Sequence, residues 1–411
     1  MSDTRETYFR RGLGLKDEVQ PILKSEYGSA LVSLIQARDH RLDVGRLRFR
    51  LAESFGFCYG VDRAVEYAYE TRRKFPDRRI YLVGEIIHNP HVNRQLREMG
   101  IEFLYPDETG RFDFGSVGPE EVVILPAFGV GIEDFERLRE MECVVVDTTC
   151  GSVLLVWKRV ESYAREGFTA IIHGKHYHEE TRATSSQVRK HEGGQYLVVR
   201  DMDEAEVVCD YIRGEGEREA FLERFRGKHS AGFDPDRDLE RVGVANQTTM
   251  VASESLDIAD RLHGAMIERW GEEEADERFR SFDTICSATQ DRQDAVKKMM
   301  VEPPDLMVVI GGYNSSNTNH LAHLCSQSVR TFHIEDAVCI DPEAGTISHK
   351  QIMGQESYET GGWLPDGEVE IGLTAGASTP NSKIGETVER ILRQAGYDPE
   401  AVLAEASEPV A

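Results

Sequence analysis

Three cysteines, Cys58, Cys150 and Cys286, stand at the same kind of place along the chain. Cys58 lies in "FGFCYGVDRA", between the apolar "RLRFRLAESFGF" and the helical pattern "VDRAVEYAYETRRKF". Cys150 follows "CVVVDTT" and precedes "LLVWKRVESYAREG"; Cys286 follows "FDTI" and precedes "DRQDAVKKMM". Each time a strand-like run ends in a cysteine and an amphipathic helix begins. A single cysteine so placed reads as a small buried hydrophobe. Three at matched places point to shared ligation. Three sulfur donors suit zinc or an iron–sulfur cluster. Zinc would take a fourth ligand or keep an open catalytic position. A four-iron cluster on three thiolates leaves one iron without a protein ligand, able to bind a substrate oxygen and to pass electrons. Clusters commonly sit on closely spaced cysteines, so this wide spacing favours the substrate-binding kind.

The residues that follow describe a ligand. After each helix comes an apolar strand ending in a polar cluster: "IYLVGEIIHNPHV", "TAIIHGKHYHEET" and "LMVVIGGYNSSNTN". His88, His178 and Ser315 lie 30, 28 and 29 residues after their cysteines. Ser315, Ser316 and Asn317, with Ser378 of "GASTP", are neutral donors in turns at helix starts, where backbone N–H groups and the helix dipole favour anions. Helix capping is the alternative use of such residues. His88 and His178 supply positive charge when protonated. Together these groups suit a phosphate or diphosphate. Glu179 and Glu180 begin a helix in "HYHEET"; a carboxyl desolvated beside a cluster and a diphosphate would have a raised pKa and serve as a proton donor. Gln247, Thr248 and Thr249 of "NQTT" can hold a hydroxyl or relay a proton.

These landmarks need elements to carry them. A third element also recurs, as "VVILPAFGVGIEDFERL", "VGVANQTTMVASESLDIADRL" and "EIGLTAGASTPNSKIGETVERIL": strand, small-residue turn, helix. The repeat predicts an α/β fold of three divergent domains related by a pseudo-threefold axis. Each has a small parallel sheet, with ligands at the carboxyl ends of the strands and the three cysteines around one central cluster. Domain limits follow from the repeat: an N-terminal extension over 1–46, domains over 47–142, 143–280 and 281–380, and a C-terminal helix and tail over 381–411. The polar stretch 211–241 reads as a surface insert in the second domain. The tail after about 395 reads as loosely ordered.

Bulk composition narrows the function. A formal net charge of −25 over 411 residues argues against general binding of nucleic acid or anionic membranes. No run of apolar residues is long enough to span a bilayer, and "MSDTRETYFRRGLGLKDEVQ" lacks the apolar segment of a signal peptide, so a cytoplasmic location is expected. Seven scattered cysteines do not suggest a disulfide framework. Cys143, Cys209, Cys325 and Cys339 have no place in the repeat and read as packing residues.

Taken as a set, "GFCYGVDRA", "GEIIHNP", "DTTC", "HYHEET", "NQTT", the cysteine of "TICSATQDRQDAV", "NSSN" and "TAGAS" resemble the 4-hydroxy-3-methylbut-2-enyl diphosphate reductase family, in the family's order over about residues 50 to 380. The resemblance implies a three-lobed α/β fold and the last reaction of the methylerythritol phosphate route to isoprenoids. In it an allylic alcohol diphosphate gains two electrons and two protons, loses water and gives isopentenyl and dimethylallyl diphosphates. It implies a [4Fe–4S] cluster on Cys58, Cys150 and Cys286, whose open iron receives the substrate hydroxyl. Glu180 matches the proton donor, with Thr248 near the hydroxyl. His88, His178, Ser315, Ser316, Asn317 and Ser378 match the substrate-binding set, mostly around the diphosphate. Where many bacterial members have "AHG", this chain has "PAFGV", so Phe128 replaces a substrate-contacting histidine. That change and the longer N-terminus resemble the cyanobacterial and plant branch. His91, His173 and His176 are candidates to compensate.

The resemblance also implies ferredoxin or flavodoxin as electron donor. The run "TRRKFPDRR", 71–79, is the densest basic stretch and the candidate docking patch for such an acidic partner. Two other readings stand beside this one. An aconitase-type hydro-lyase also uses a three-cysteine cluster but binds carboxylates through arginines, which these turns lack. A non-catalytic iron–sulfur redox sensor would leave Glu180 and "NSSN" without a purpose.

Overall fold

A computed structural model describes residues 7–108 and 110–407 of the chain. It divides into two compact units. One holds the described residues up to Gly12, Phe75–Ile86 and Arg97–Cys286; the other holds Leu13–Lys74, Ile87–Leu96 and the described residues from Ser287 onward.

The first unit contains two small, wholly parallel sheets. One runs, in spatial order, Tyr8–Phe9, Val144–Asp147, Val122–Leu125, Ile80–Val83 and Ile101–Leu104. The other runs Phe279–Ser281, Val242–Asn246, Thr169–His173 and Tyr196–Val199. Segments such as "VVIL" and "VVVD" form these strands because β-branched residues suit extended backbone. They are buried at every position, as strands covered on both faces must be.

The second unit contains one larger sheet. Its order is Ile340–Asp341, Thr346–Lys350, Thr331–Ile334, Leu306–Ile310, Val369–Ala375, Leu47–Leu51 and Arg41–Val44, with Ser357–Gly361 also pairing Thr346–Lys350. Its centre is parallel and its flanks are antiparallel. The α/β class with parallel sheets expected from the repeat is the class the chain adopts.

The expected limits at 47 and 143 do not follow these sheets, whereas Phe279–Ser281 stays with the sheet of Val242–Asn246. Leu47–Leu51 pairs with Val369–Ala375, and Val144–Asp147 pairs with Val122–Leu125. The strand before each cysteine therefore belongs with strands other than those that follow it in sequence. A parallel neighbour is reached through a crossover of about a dozen residues or many more, so adjacency in sequence does not fix adjacency in a sheet.

The stretch 211–241 is not a surface insert either. Phe221, Phe225 and Phe233 are buried with Tyr211 and Leu239 in the core around Val242–Asn246. Phe221 and Phe225 are four apart on the helix Arg218–Arg224 and its C-cap, and their rings are 4.7 Å apart. The aromatic spacing within a polar stretch marked that packing face.

The extension before residue 47 has a structural account. Tyr8–Phe9 pairs with Val145 and Val146 in the first unit. In the second, the helix Lys16–Tyr27 packs against Tyr59–Lys74, and the Tyr27 ring meets Phe57, beside Cys58, at 5.6 Å. The segment beyond 395 forms the helix Pro399–Ser407, whose Val402 and Leu403 pack on the second unit's core. Residues 1–6 and 408–411 lie outside the described residues.

Candidate active site

Each cysteine stands directly before a helix, in a turn three to seven residues past the end of a strand. The helices are Tyr59–Lys74, Gly151–Arg165 and Ser287–Met299. One hydrogen bond recurs at all three. Cys58 N donates to Ala377 O at 3.2 Å, Cys150 N to Ala127 O at 3.0 Å and Cys286 N to Thr248 O at 3.3 Å. Each acceptor lies in the turn of the third recurring element. Two residues earlier the tie repeats in two of them, Gly56 N to Ala375 O and Thr148 N to Leu125 O, while Asn246 N donates to Thr284 Oγ1 in the third. By this register Phe128, Thr249 and Ser378 are equivalent positions. All three cysteines are partly exposed. Cys143, Cys209 and Cys325 are buried, and burial pushes their thiols up to about 11, 12 and 12, which keeps them protonated and inert. Cys339 differs from those three: it is half-buried, with the Tyr313 hydroxyl 3.8 Å from its sulfur.

In the first unit the expected residues form one connected series. Cys286 N bonds Thr248 O. Thr248 N donates to Glu180 Oε1 at 2.6 Å. Glu180 N donates to His178 Nδ1 at 3.2 Å, so His178 caps the helix Glu179–Ser186 through its ring. That contact makes Nδ1 an acceptor and leaves the ring proton on Nε2 when the imidazole is neutral. The His178 ring stands edge-on to Phe128, with centroids 5.7 Å apart, and Ala127, next to Phe128, accepts from Cys150 N. Glu180 is 1% exposed, a placement rare for a carboxyl unless function or pairing holds it there. Gln247 fixes the "NQTT" turn: Oε1 accepts from Thr181 Oγ1 and Lys175 N, both at 3.1 Å, and Nε2 donates to Thr249 Oγ1 at 2.8 Å.

In the second unit the peptide Ala377–Ser378 is the meeting point. Ala377 O accepts from Cys58 N. Ala377 N donates to Asn317 Oδ1 at 3.3 Å, and Ser378 Oγ donates to His88 O at 3.2 Å. Gly312 packs so closely on His88 that a Cβ there would stand 2.5 Å from His88 O. Ser315 caps the helix Ser316–Ser326 by accepting from Thr318 N. His88, Ser315, Ser316, Asn317 and Ser378 are all buried.

Three further residues position this machinery. Asp147 Oδ1 accepts from Thr149 N, and its Oδ2 accepts from Tyr8 OH at 2.6 Å, tying the Cys150 turn to the N-terminal strand. Lys350 Nζ donates to Tyr313 O at 2.9 Å and Asn319 Oδ1 at 3.1 Å, behind "YNSSN". Arg292 holds backbone carbonyls before Cys58. Asp147 is a charged residue at the end of the apolar run "CVVVD", a signal by which sequence could have marked it, whereas Arg292 and Lys350 stand among polar neighbours.

The three histidines offered as compensation for Phe128 are poor cations. Burial holds His91, His173 and His176 below the usual imidazole range, His173 to about 4. His173 is also bound to Ser255 Oγ at 2.8 Å. A histidine at 128 would keep an edge-on ring against His178. Phe128→His is therefore expected to change kcat/KM by less than about tenfold; a fall to the level of a cysteine variant, measured with the allylic diphosphate, would contradict this.

The basic run 71–79 is not an open positive patch. Arg73 pairs with Glu18 at 2.9 Å, Arg78 with Glu120 at 3.9 Å and Arg79 with Glu102 at 3.3 Å. Arg72 and Arg73 form the last turn of a helix, where cations are favoured by the helix dipole. Among the described residues no helix is long and apolar enough to cross a membrane.

Comparison with known proteins bears on this arrangement. Residues 49–392 match the model of the family described as LytB protein. The chain is 49% identical over 409 residues to the 4-hydroxy-3-methylbut-2-enyl diphosphate reductase of Gloeobacter violaceus, covering 98% of this chain and 97% of that relative. It is 48% identical over 388 residues to the protein of the same name from Thermosynechococcus vestitus, covering 94% of each. It is similar to the solved structure of (E)-4-hydroxy-3-methyl-but-2-enyl diphosphate reductase, the terminal enzyme of the non-mevalonate pathway. That likeness has a TM-score of 0.52 and 28% identity, over 84% of this chain and 98% of that one. The Plasmodium falciparum reductase shares the fold at a TM-score of 0.60 and 21% identity, over 84% of this chain and 87% of that one.

Proposed function

The chain belongs to the LytB protein family, and on that premise we propose that it reduces (E)-4-hydroxy-3-methylbut-2-enyl diphosphate to isopentenyl and dimethylallyl diphosphates. The observation that carries the reading is the hydrogen bond repeated at Cys58, Cys150 and Cys286. It sets three partly exposed thiols at three helix starts, while Cys143, Cys209 and Cys325 are buried elsewhere. Soft sulfur donors at the positive ends of helices fit an anionic iron–sulfur group. Cys58, Cys150 and Cys286 would hold a [4Fe–4S] cluster. Bound there with one iron lacking a protein ligand, it supplies electrons and a Lewis-acidic position.

The chain's own groups account for binding and proton delivery. The reaction breaks the allylic C–O bond, forms a C–H bond and consumes two electrons and two protons, one of which leaves in water. Glu180 is the proton donor to the departing hydroxyl. Its carboxyl is oriented by the Thr248 N–H and kept from bulk water by burial. Thr248 lies beside it to hold that hydroxyl. His88, His178, Ser315, Ser316, Asn317 and Ser378 bind the substrate, mostly at the diphosphate. His178 and Ser315 are already held as helix caps, Asn317 by the Ala377 N–H and Ser378 by the His88 carbonyl, so these four need little ordering on binding. Phe128 replaces one polar contact with an apolar wall. The electrons come from ferredoxin or flavodoxin in the cytoplasm.

The test is an anaerobic assay with reduced viologen and the allylic diphosphate. Consumption of two electrons per substrate with both isoprenoid diphosphates as products is the expected result. Water loss without electron uptake would indicate a hydro-lyase, and no turnover by iron-loaded protein would indicate a sensor; either outcome overturns the proposal.

A further inference from the structure

Arg292 lies in the helix Ser287–Met299, which begins just after Cys286, and is 4% exposed. Its guanidinium donates to three backbone carbonyls. One is Ala288 O at 2.6 Å, a turn back in its own helix; the others are Gly56 O at 2.6 Å and Phe55 O at 3.4 Å. The last two belong to the turn that delivers Cys58. The donors of that turn are held separately, Gly56 N by Ala375 O and Cys58 N by Ala377 O. Gly56 has φ of +68°, and a Cβ there would stand 3.0 Å from Asn381 Oδ1. The turn thus has a backbone shape that favours glycine, with both its N–H groups and its carbonyls engaged. A guanidinium is charged at every accessible pH, and its planar fork can grip two acceptors at once.

We infer that Arg292 is a positioning residue for the Cys58 ligand turn. It fixes the Phe55 and Gly56 carbonyls in the shape from which Cys58 ligates, and it sets a permanent positive charge against that turn. This rests on the reading of Cys58 as an iron–sulfur ligand. Charge and hydrogen bonding around a cluster tune its reduction potential, and a fixed cation favours the more negative, reduced form.

Wild-type, Arg292→Met and Arg292→Lys proteins are reconstituted anaerobically with iron and sulfide. Iron loss to a chelator is timed, and the midpoint potential is taken from a spectroscopic redox titration. Arg292→Met is expected to lose iron about 10- to 100-fold faster, the usual effect of removing a residue that orients a ligand, and to titrate at a more negative potential. Arg292→Lys keeps the charge but not the fork, so it is expected to lose iron at an intermediate rate and to titrate near the wild-type potential. Wild-type retention and potential in both variants overturn the proposal. So does faster loss at an unchanged potential in both, which assigns Arg292 to ordinary packing. If Arg292→Met does not fold, the neutral Arg292→Gln takes its place with the same expected and overturning results, and iron loss at the wild-type rate in Arg292→Lys together with it overturns the proposal. Failure of the wild-type protein to take up iron would overturn the reading of the cysteines instead.

Discussion

Replacing Cys58, Cys150 or Cys286 by serine, one at a time, is expected to strip the protein of iron and to lower turnover on the order of a thousandfold or more, as for groups that act as a unit. Serine keeps the size of the side chain and exchanges a soft sulfur for a hard hydroxyl oxygen. The three positions share one backbone hydrogen bond and one helix-start location, so the three variants should look alike. Because the ligands act together, a double variant should be no worse than a single one. Cys209→Ala and Cys325→Ala provide the contrast. Those thiols are 0% exposed and held protonated by burial. Their loss should cost stability, roughly 0.5–3 kcal/mol as for most core substitutions, while iron content stays at the wild-type level. Iron and sulfide analysis of anaerobically prepared protein decides the matter. A full complement of iron in any of the three serine variants would remove that cysteine from the ligand set.

The second large effect is expected at Glu180. Glu180→Gln preserves shape and an oxygen able to accept from the Thr248 N–H, which lies 2.6 Å from Oε1. It removes the one thing proposed to matter, a transferable proton. Turnover should fall by about 10²–10⁴-fold, the usual worth of a positioned acid, while iron content and substrate affinity hold. A variant within tenfold of wild-type turnover would show that the proton comes from elsewhere. Loss of iron alongside turnover would show that Glu180 supports the fold of the "NQTT" turn rather than the chemistry. The carboxyl is buried and its own backbone N–H is taken by His178, so the shape-preserving amide separates these outcomes better than alanine would.

The chemistry was more legible than the architecture. Strand, cysteine and helix follow one another within a dozen residues, and local rules of periodicity and capping read such units well. Ser315 caps a helix in the structure, the alternative use its turn offered, and His178 also caps one, a role not expected of it from sequence. Pairing between distant strands was not legible. Leu47–Leu51 is an ordinary half-buried pattern, and nothing in it names Val369–Ala375 as its neighbour. The stretch 211–241 misled because its charges outnumber its aromatics, although Phe221 and Phe225 alone define a buried helix face. Arg292 and Lys350 were missed for a related reason. Their partners are carbonyls, which any residue possesses, so no complementary side chain flags the contact in sequence.

The pairing of Leu51 with Leu373 has a consequence for how the chain is made. Cys58 is the first of the three thiols to leave the ribosome, yet the strand and the Ala377 carbonyl that set its turn emerge near the end of synthesis. At 5–20 residues per second, roughly 320 residues of intervening chain take on the order of tens of seconds to translate. The earliest thiol is therefore the last to be seated, and a nascent chain carries it unguarded until translation is nearly done. On the proposed reading, assembly of a cluster on the three thiols belongs after the Cys58 turn has been seated, at the end of synthesis.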